Sequence, residues 1–353
     1  MSPVPALTMT QPNSPSPIPW SPTHARLHRC LQQRSLLPAQ ATVLIAVSGG
    51  QDSVALLRLL LDLQPHWHWQ LRVGHCDHRW RPDSAQNAAF VADLCQGWGI
   101  PCQVLTAPPL APGEAAARQW RYGVLGELAQ SQGCTYLVTG HTASDRAETL
   151  LYNLMRGSGS DGLQALVWQR PLGGDRPDLQ LIRPLLDFTR GDITSLCQRF
   201  NLPYWNDSTN QDLTYARNRL RLAVLPYLKN HFNPDVDRTL AQTAEILSAE
   251  VALLNTLTLD LYQQVVEFRP ADQSCRLHRP PLRSAPLALQ RRLITQVLRQ
   301  VMTVQPTFDR VESLVSLIQA PQGSQSSPLP GGLVASVQAE WIVLLLNPSC
   351  GKA

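Results

Sequence analysis

Six consecutive residues, Ser48-Gly49-Gly50-Gln51-Asp52-Ser53, carry the most specific chemistry in the chain. Two adjacent glycines let a backbone turn tightly and approach a ligand closely. Where such a turn opens a helix, the first amides point outward at the positive end of the helix dipole. The hydroxyls of Ser48 and Ser53 add two donors, and the whole makes a cradle for pyrophosphate. Asp52 is out of place in a loop that only holds anions; beside phosphates, a carboxylate makes sense if it holds Mg2+. Two commoner phosphate loops are absent: there is no G-x-x-x-x-G-K-S/T, for want of a nearby lysine, and no G-x-G-x-x-G. Taken alone, the hexapeptide also suits a plain Ser/Gly turn that caps a helix.

Other reactive side chains are spread along the first two thirds of the chain. His75 and His78 flank one expected strand end and His141 follows another. Asp145 and Glu148 are three residues apart on an expected helix, so they share a face. Arg118 and Arg121 stand on a helix upstream. Each of these has a plainer reading, as loop histidines, a solvated acidic face or surface guanidiniums. No cysteine is spaced to complete a zinc site with the histidines.

The elements that must position these groups alternate. Short apolar runs at 42–47, 71–75, 101–105 and 135–139 read as buried strands, with a further candidate at 179–183. Helical patterns fill 23–36, 52–63, 85–98, 114–130, 143–155 and 189–200. Alternation of this kind predicts an α/β fold with a parallel sheet covered on both faces. Ligands of such sheets bind beyond the carboxyl ends of the strands. The hexapeptide, His75 and His141 all fall there and so face one crevice. After about residue 226 the pattern turns mostly helical, with a long helix over 236–266, two more within 280–319 and a terminal strand pair at 333–337 and 341–346. The expected organisation is a Pro/Ser-rich disordered leader (1–22), a catalytic domain (23–226) and a smaller, mainly helical domain (227–353).

Composition narrows the class. At 44% hydrophobic and 16% charged, the chain can bury a core and does not look disordered as a whole. No uncharged apolar run reaches the roughly 18 residues of a membrane span, and the first 20 residues offer no signal-peptide pattern. The eight cysteines form no C-x-x-C pair, which argues against an iron–sulfur cluster, a structural zinc site or a thioredoxin-type redox site. A cytoplasmic location with reduced thiols follows as the expectation. Of 30 basic residues only Lys229 and Lys352 are lysines, so nearly every fixed positive charge is a planar guanidinium.

The motifs, in their order, resemble those of the N-type ATP pyrophosphatases and, among them, the tRNA(Ile)-lysidine synthetase family. Ser48–Ser53 matches the signature loop. His75-Cys76-Asp77-His78-Arg79-Trp80-Arg81-Pro82 resembles H-x-N/D-H-x-x-R-P, and Ala117-Arg118-Gln119-Trp120-Arg121-Tyr122 resembles A-R-x-x-R-Y. The run from Gly140 to Thr149 resembles G-H-H-x-D-D-x-x-E-T, with Thr142 in place of the second histidine and Ser144 in place of the first aspartate. Arg156-Gly157-Ser158-Gly159, Arg183-Pro184-Leu185-Leu186 and the stretch from Asn206 to Arg221 complete the series, which covers about 41–226.

The resemblance implies a Rossmann-like domain that uses ATP and Mg2+ to adenylate the wobble cytidine of a tRNA(Ile) with CAU anticodon. Free L-lysine then displaces AMP to form lysidine, and codon reading changes from AUG to AUA. It implies catalytic roles for Asp52, Asp145, Glu148 and Arg118, and Mg2+ at Asp52. It places ATP on Ser48, Gly49, Gly50, Gln51, Asp52, Ser53, His75, His78 and His141, and substrate on Arg81, Arg121, Arg156 and Arg217. Whether Asp145 and Glu148 hold the lysine ammonium or help to activate it stays open, as does the role of Ser144. A thiolating tRNA enzyme would need a cysteine pair or cluster; an amidotransferase-type ligase would need an ammonia source; a pure binding module would gain nothing from carboxylates beside phosphates.

Residues 269–299 add seven arginines against one acid, Asp272, a local net of +6. This predicts a phosphate-backbone footprint for tRNA, with Arg291 and Arg292 among its contacts, although a solvated helix face would look the same. The oligomeric state is left open, a homodimer included.

Overall fold

The computed structural model describes residues 19–79, 82–108, 114–173, 176–206, 211–269 and 274–345. Most of the expected leader, together with Trp80, Arg81 and residues 207–210 of the last motif, lies outside them. The chain divides into two compact units, Met1–Ser248 and Ala249–Ala353.

The first unit is built on a sheet of order β3-β2-β1-β4-β6-β5. Its strands are β1 (Thr42–Ala46), β2 (Gln70–Asp77), β3 (Cys102–Thr106), β4 (Tyr136–Thr139), β5 (Gln169–Gly173) and β6 (Arg176–Ile182). All neighbours pair parallel except β5, which runs antiparallel to β6 at the edge. β1 is central, and both its faces are covered. Val43 and Ile45 join the core under helices α1 (Pro22–Gln33), α2 (Gln51–Trp67) and α7 (Arg190–Arg199). Leu44 faces the opposite core with Leu125 and Leu128 of α4 (Glu114–Ser131). A strand covered on both faces reads as a continuous apolar run, which is why the TVLIA segment was legible.

Chain order within the sheet decides where a ligand fits. From β1 the chain moves outward to β2 and β3, then crosses back to place β4 on the other side of β1. The carboxyl ends of β1 and β4 therefore flank the switch point of the sheet. The connections through α3 (Ser84–Gly97) and α5 (Ala143–Met155) were expected as helices and are helices. α6 (Ser160–Leu163) is a single turn. Strand β5 was not expected, because Pro171 and Gly173 break the strand pattern; an edge tolerates both. Beyond α7 come α8 (Ala216–Arg219), a π-helical turn (Leu220–Val224), α9 (Leu225–His231) and α10 (Val236–Val265), and the division between the two units falls inside α10. Helix α1 opens with Ser21, whose side chain and that of His24 form a reciprocal cap, so the order begins slightly before residue 23.

The second unit packs α11 (Arg279–Ser284), α12 (Leu287–Val301), α13 (Phe308–Ser316) and the end of α10 with an antiparallel sheet of order β7-β8-β10-β9. The strand pair β9 (Ala335–Gln338) and β10 (Trp341–Leu345) was expected; β7 (Val266–Arg269) and β8 (Ser274–His278) were not. Both alternate apolar and polar residues strictly, as Val-Glu-Phe-Arg and Ser-Cys-Arg-Leu-His, but runs of four and five residues are too short for that period to stand out beside a long helix. Leu293, Ile294, Val297, Leu298 and Val301 form the buried stripe of α12 against Leu277, Leu314 and Ile342.

Candidate active site

The loop after β1 is held in shape by its own side chains. Gly49 adopts φ +87°, and a Cβ there would lie 2.3 Å from Asn87 Oδ1, so both the conformation and the space require glycine. Ser53 Oγ donates to Gly50 O at 2.9 Å and accepts from Ser48 N at 3.2 Å. Asn87 Nδ2 donates to Ser48 O at 3.1 Å. Gly50 is the N-cap of α2 and provides no side-chain cap, so the first-turn amides keep the donor character that an anion needs. Gly140 brings the chain leaving β4 onto this turn: a Cβ there would stand 2.9 Å from the carbonyl oxygen of Asp52. The exits of β1 and β4 are thus in backbone contact, which no local sequence pattern announces.

Around this loop the structure gathers Asp52, Asp145 and Glu148, and with them two arginines. Arg190, the first residue of α7, donates from Nη2 to Asp145 Oδ1 at 3.0 Å and from Nη1 to Glu148 Oε1 at 3.3 Å; its Nε lies 3.7 Å from Asp52 Oδ2. Arg221, on the π-helical turn, donates to both Glu148 oxygens at 2.8 and 3.0 Å and to Asp145 Oδ1 at 3.3 Å. Thr142 caps α5: its amide and its hydroxyl both donate to Asp145 Oδ2, at 2.8 and 2.9 Å. The threonine that departs from G-H-H therefore anchors the carboxylate three residues on. Glu148 is 3% exposed.

The electrostatics separate the carboxylates. Burial pushes Asp145 up, but Arg190, Arg221 and the Thr142 amide together hold it below the usual carboxylate range. Asp52 goes the other way. Burial, then the charge of Asp145, raises it to about 6 against the opposing pull of Arg190 and Arg221. Its Oδ1 is buried and has no hydrogen-bond partner among the described residues. No group of three or more His, Cys, Asp or Glu side chains gathers among the described residues to hold a metal by itself. Mg2+ needs no such cage; one or two carboxylates and the phosphates of its nucleotide suffice. Asp52, with an unpartnered oxygen next to an anion cradle, fits that role, whereas Asp145 and Glu148 are already engaged by guanidiniums.

The remaining expected site residues are distributed unequally. His141 is half-buried with Nδ1 2.9 Å from Thr139 Oγ1. Burial pushes it down to about 3 against the charge of Asp145, and the charges of Arg183, Arg118 and Arg217 add to that push, so the imidazole is neutral. His75 is 2% exposed and its Nδ1 is 2.8 Å from Val47 O, which braces the chain just before the phosphate loop. His78 packs edge-on against Trp120, with ring centroids 4.9 Å apart. Arg121 is exposed and lies close enough to Cys76 to oppose the upward push of burial on that thiol. Arg156 is exposed at the far end of α5, against Tyr152. At 1.5 Å per residue, that end is about 16 Å from Asp145 along the helix, so Arg156 does not join the carboxylates. Arg81 lies outside the described residues.

Sequence reasoning missed Arg190, and it knew Arg221 only as the last member of a motif. The one local signal for Arg190 is its place at the start of a helix capped by Thr189 and Asp192.

In the second unit, Arg291 donates from Nε and Nη2 to the two oxygens of Glu312 at 2.7 and 2.9 Å. Arg292 Nε donates to Asn255 Oδ1 at 2.9 Å. Arg279 is 3% exposed and donates to the carbonyls of Ile318 and Ala339 at 3.1 Å each, and to that of Ala320. Arg269 pairs with Glu267, and Arg283 with Glu340. The acids that answer these arginines lie outside the 269–299 window, where a local count cannot see them.

A parallel sheet whose glycine-built loop and carboxylates meet at its switch point defines a PP-loop protein, and the PP-loop domain family matches residues 21–228. A solved U34-tRNA thiolase from Methanococcus maripaludis shares this fold, with a TM-score of 0.54 and 17% identity over 64% of this chain and 78% of that one. A tRNA(Ile)-lysidine synthase of a Nostoc species is 49% identical over 335 residues, 92% of this chain and 97% of the relative. One from a Synechococcus species is 52% identical with the same coverage of both chains, and a chloroplastic one from Zygnema circumcarinatum is 35% identical over 82% of this chain and 78% of its own. The chain belongs to the tRNA(Ile)-lysidine synthase family and is, with it, an ATP-utilising ligase of tRNA modification. No described helix is long and apolar enough to cross a membrane.

Proposed function

We propose that this chain joins free L-lysine to the wobble cytidine of a tRNA(Ile) with CAU anticodon, by way of an adenylated cytidine, in the cytoplasm. Residues 23–226 supply the reacting groups and 227–353 supply tRNA affinity. The observation that carries the reading is Asp52: a carboxylate with a buried, unpartnered oxygen, set in a loop built to hold pyrophosphate.

In the first step the C2 carbonyl oxygen of the cytosine ring attacks the α-phosphorus of ATP, and the α–β bridging bond breaks to release pyrophosphate. The outward amides of the loop and the hydroxyl of Ser48 receive the departing charge, while the Ser53 hydroxyl, committed to Gly50 O, keeps the loop in shape. Asp52 would hold Mg2+, which when bound would further neutralise the phosphates. Arg118 and Arg217, whose charges act on His141, are the candidates for holding phosphate or the extruded base. In the second step the lysine ε-amine attacks C2, the C–O bond to AMP breaks, and one amine proton is lost. Asp145 and Glu148 are the acidic groups for the lysine side chain. Both are bridged by Arg190 and Arg221, so an incoming ammonium meets a carboxylate pair whose charge is already balanced, and it gives up a first proton to solvent before the free amine attacks. Arg291 and Arg292 belong to the tRNA-facing part of the reading.

Pyrophosphate release from ATP, followed with unmodified tRNA(Ile) and with lysine withheld or supplied, tests the proposal. Release that requires the tRNA but not lysine is the expected result. Release that requires lysine without tRNA overturns the order of chemistry, and release without either makes the chain a simple pyrophosphatase.

A further inference from the structure

Ser144 and Asp237 are both buried, at 2% and 4% exposure, and they are 93 residues apart in sequence. Ser144 Oγ donates to Asp237 Oδ2 at 2.6 Å and accepts the backbone amide of Arg190 at 3.1 Å. Lys229, one of two lysines in the chain, donates to the same Asp237 oxygen at 2.8 Å. Ser144 belongs to the first turn of α5 and Arg190 is the first residue of α7, so two helix N-termini meet at this point. Their dipoles both favour a negative charge here, and the Arg190 amide is one that its own helix leaves unsatisfied. Asp237 Oδ1 has no partner among the described residues, an arrangement that costs stability and calls for a reason.

The reason is at the other end of Arg190. The same residue whose amide is tied to Ser144 sends its guanidinium among Asp52, Asp145 and Glu148. We propose that Asp237 is a positioning residue of the reaction: acting through Ser144, it fixes the start of α7 and thereby the Arg190 guanidinium among the three carboxylates. Lys229 balances its charge from the exposed side. Ser144 stands where the family resemblance expects aspartate, so a carboxylate near the start of α5 is supplied here from α10 instead. The reaction used as readout rests on the function proposed above; the network itself does not.

The test compares Ser144→Ala, Asp237→Ala and the relocated pair Ser144→Asp with Asp237→Ala, in the full chain. Expected are a roughly ten- to hundredfold lower kcat for tRNA-dependent pyrophosphate release in the two single variants, a KM for ATP within twofold of the parent, and recovery to within about threefold in the relocated pair. Faster hydrogen exchange at the Arg190 amide in Ser144→Ala is expected independently of any turnover. If Asp237→Ala does not fold, Ser144→Ala, which removes one hydroxyl, still decides. A Ser144→Ala variant within twofold of the parent in kcat overturns the proposal, as does a relocated pair no better than Asp237→Ala. A parent without tRNA-dependent turnover sinks the proposed function, and unchanged exchange at Arg190 in Ser144→Ala then sinks the network separately.

Discussion

Around the exits of β1 and β4, Arg190 and Arg221 share Asp145 and a nearly inaccessible Glu148 at 2.8–3.3 Å. In the second unit, Arg291 meets Glu312 with equally short bonds, but the two side chains are 42% and 31% exposed. The geometry is similar and the consequence is not. A buried carboxylate deprived of its guanidinium keeps the full desolvation penalty, whereas an exposed one is taken over by water. The crevice arginines are therefore committed to setting the charge of the site, and the exposed pair is a salt-screened surface feature. The local +6 over 269–299 turns out to be a poor measure of the field that a polyanion would meet, since Glu267, Glu312 and Glu340 each answer one of its arginines.

The strongest way to sharpen this contrast is to neutralise the crevice itself. Asp52→Asn should fold and yet lose adenylate formation by about 3 kcal/mol of barrier or more, over a hundredfold in rate. Pyrophosphate release within tenfold of the parent would remove Asp52 from the mechanism. The same variant should be more stable than the parent at neutral pH. The folded carboxyl is raised to about 6 from 3.8, so between those values the folded chain holds the extra proton and stability falls as pH rises. The advantage of asparagine should be absent below about pH 4, grow across the interval and reach roughly 1–3 kcal/mol above pH 6. A constant difference in melting temperature from pH 4 to 8 would contradict it.

Arg221→Ala and Arg291→Ala test the two regions directly. The first leaves Glu148 with Arg190 alone and should cost about 1–3 kcal/mol in thermal unfolding. The second should leave the melting temperature unchanged, because water replaces the partner of an exposed Glu312. Equal losses would erase the distinction between the regions. The smallest effect is expected from Arg291→Gln with Arg292→Gln. Two full phosphate contacts would lower the slope of log affinity for tRNA against log salt by roughly two, but with Glu312 already on Arg291 the change should be about one or less. A drop of two, measured by salt titration of tRNA binding, would show that tRNA displaces Glu312 and that the exposed arginines are the true footprint.

Much of the catalytic unit was legible in the amino-acid order because its causes are local. β1 shows as an apolar run because both of its faces are buried; the glycine at 49 shows because the tight turn before α2 needs it; Asp145 and Glu148 share a face because three residues nearly complete a helical turn. Thr142 and Ser144 looked like losses from a motif for the same reason: residue types can be read from the sequence, and partners cannot. Only the folded chain sets Gly140 against the backbone of Asp52, brings Arg190 from 138 residues beyond Asp52 to its carboxylate and delivers Asp237 to Ser144. It likewise turns part of an arginine cluster into bonds with distant acids and carbonyls. Charge and hydrogen bonding act over a few ångströms of space whatever the separation in sequence. Helical and strand periodicity therefore located the elements and the loop, while the ionisation and the partners of the groups they carry were decided by the crossing of the chain between β3 and β4 and by the return of α7 and α10 to the switch point.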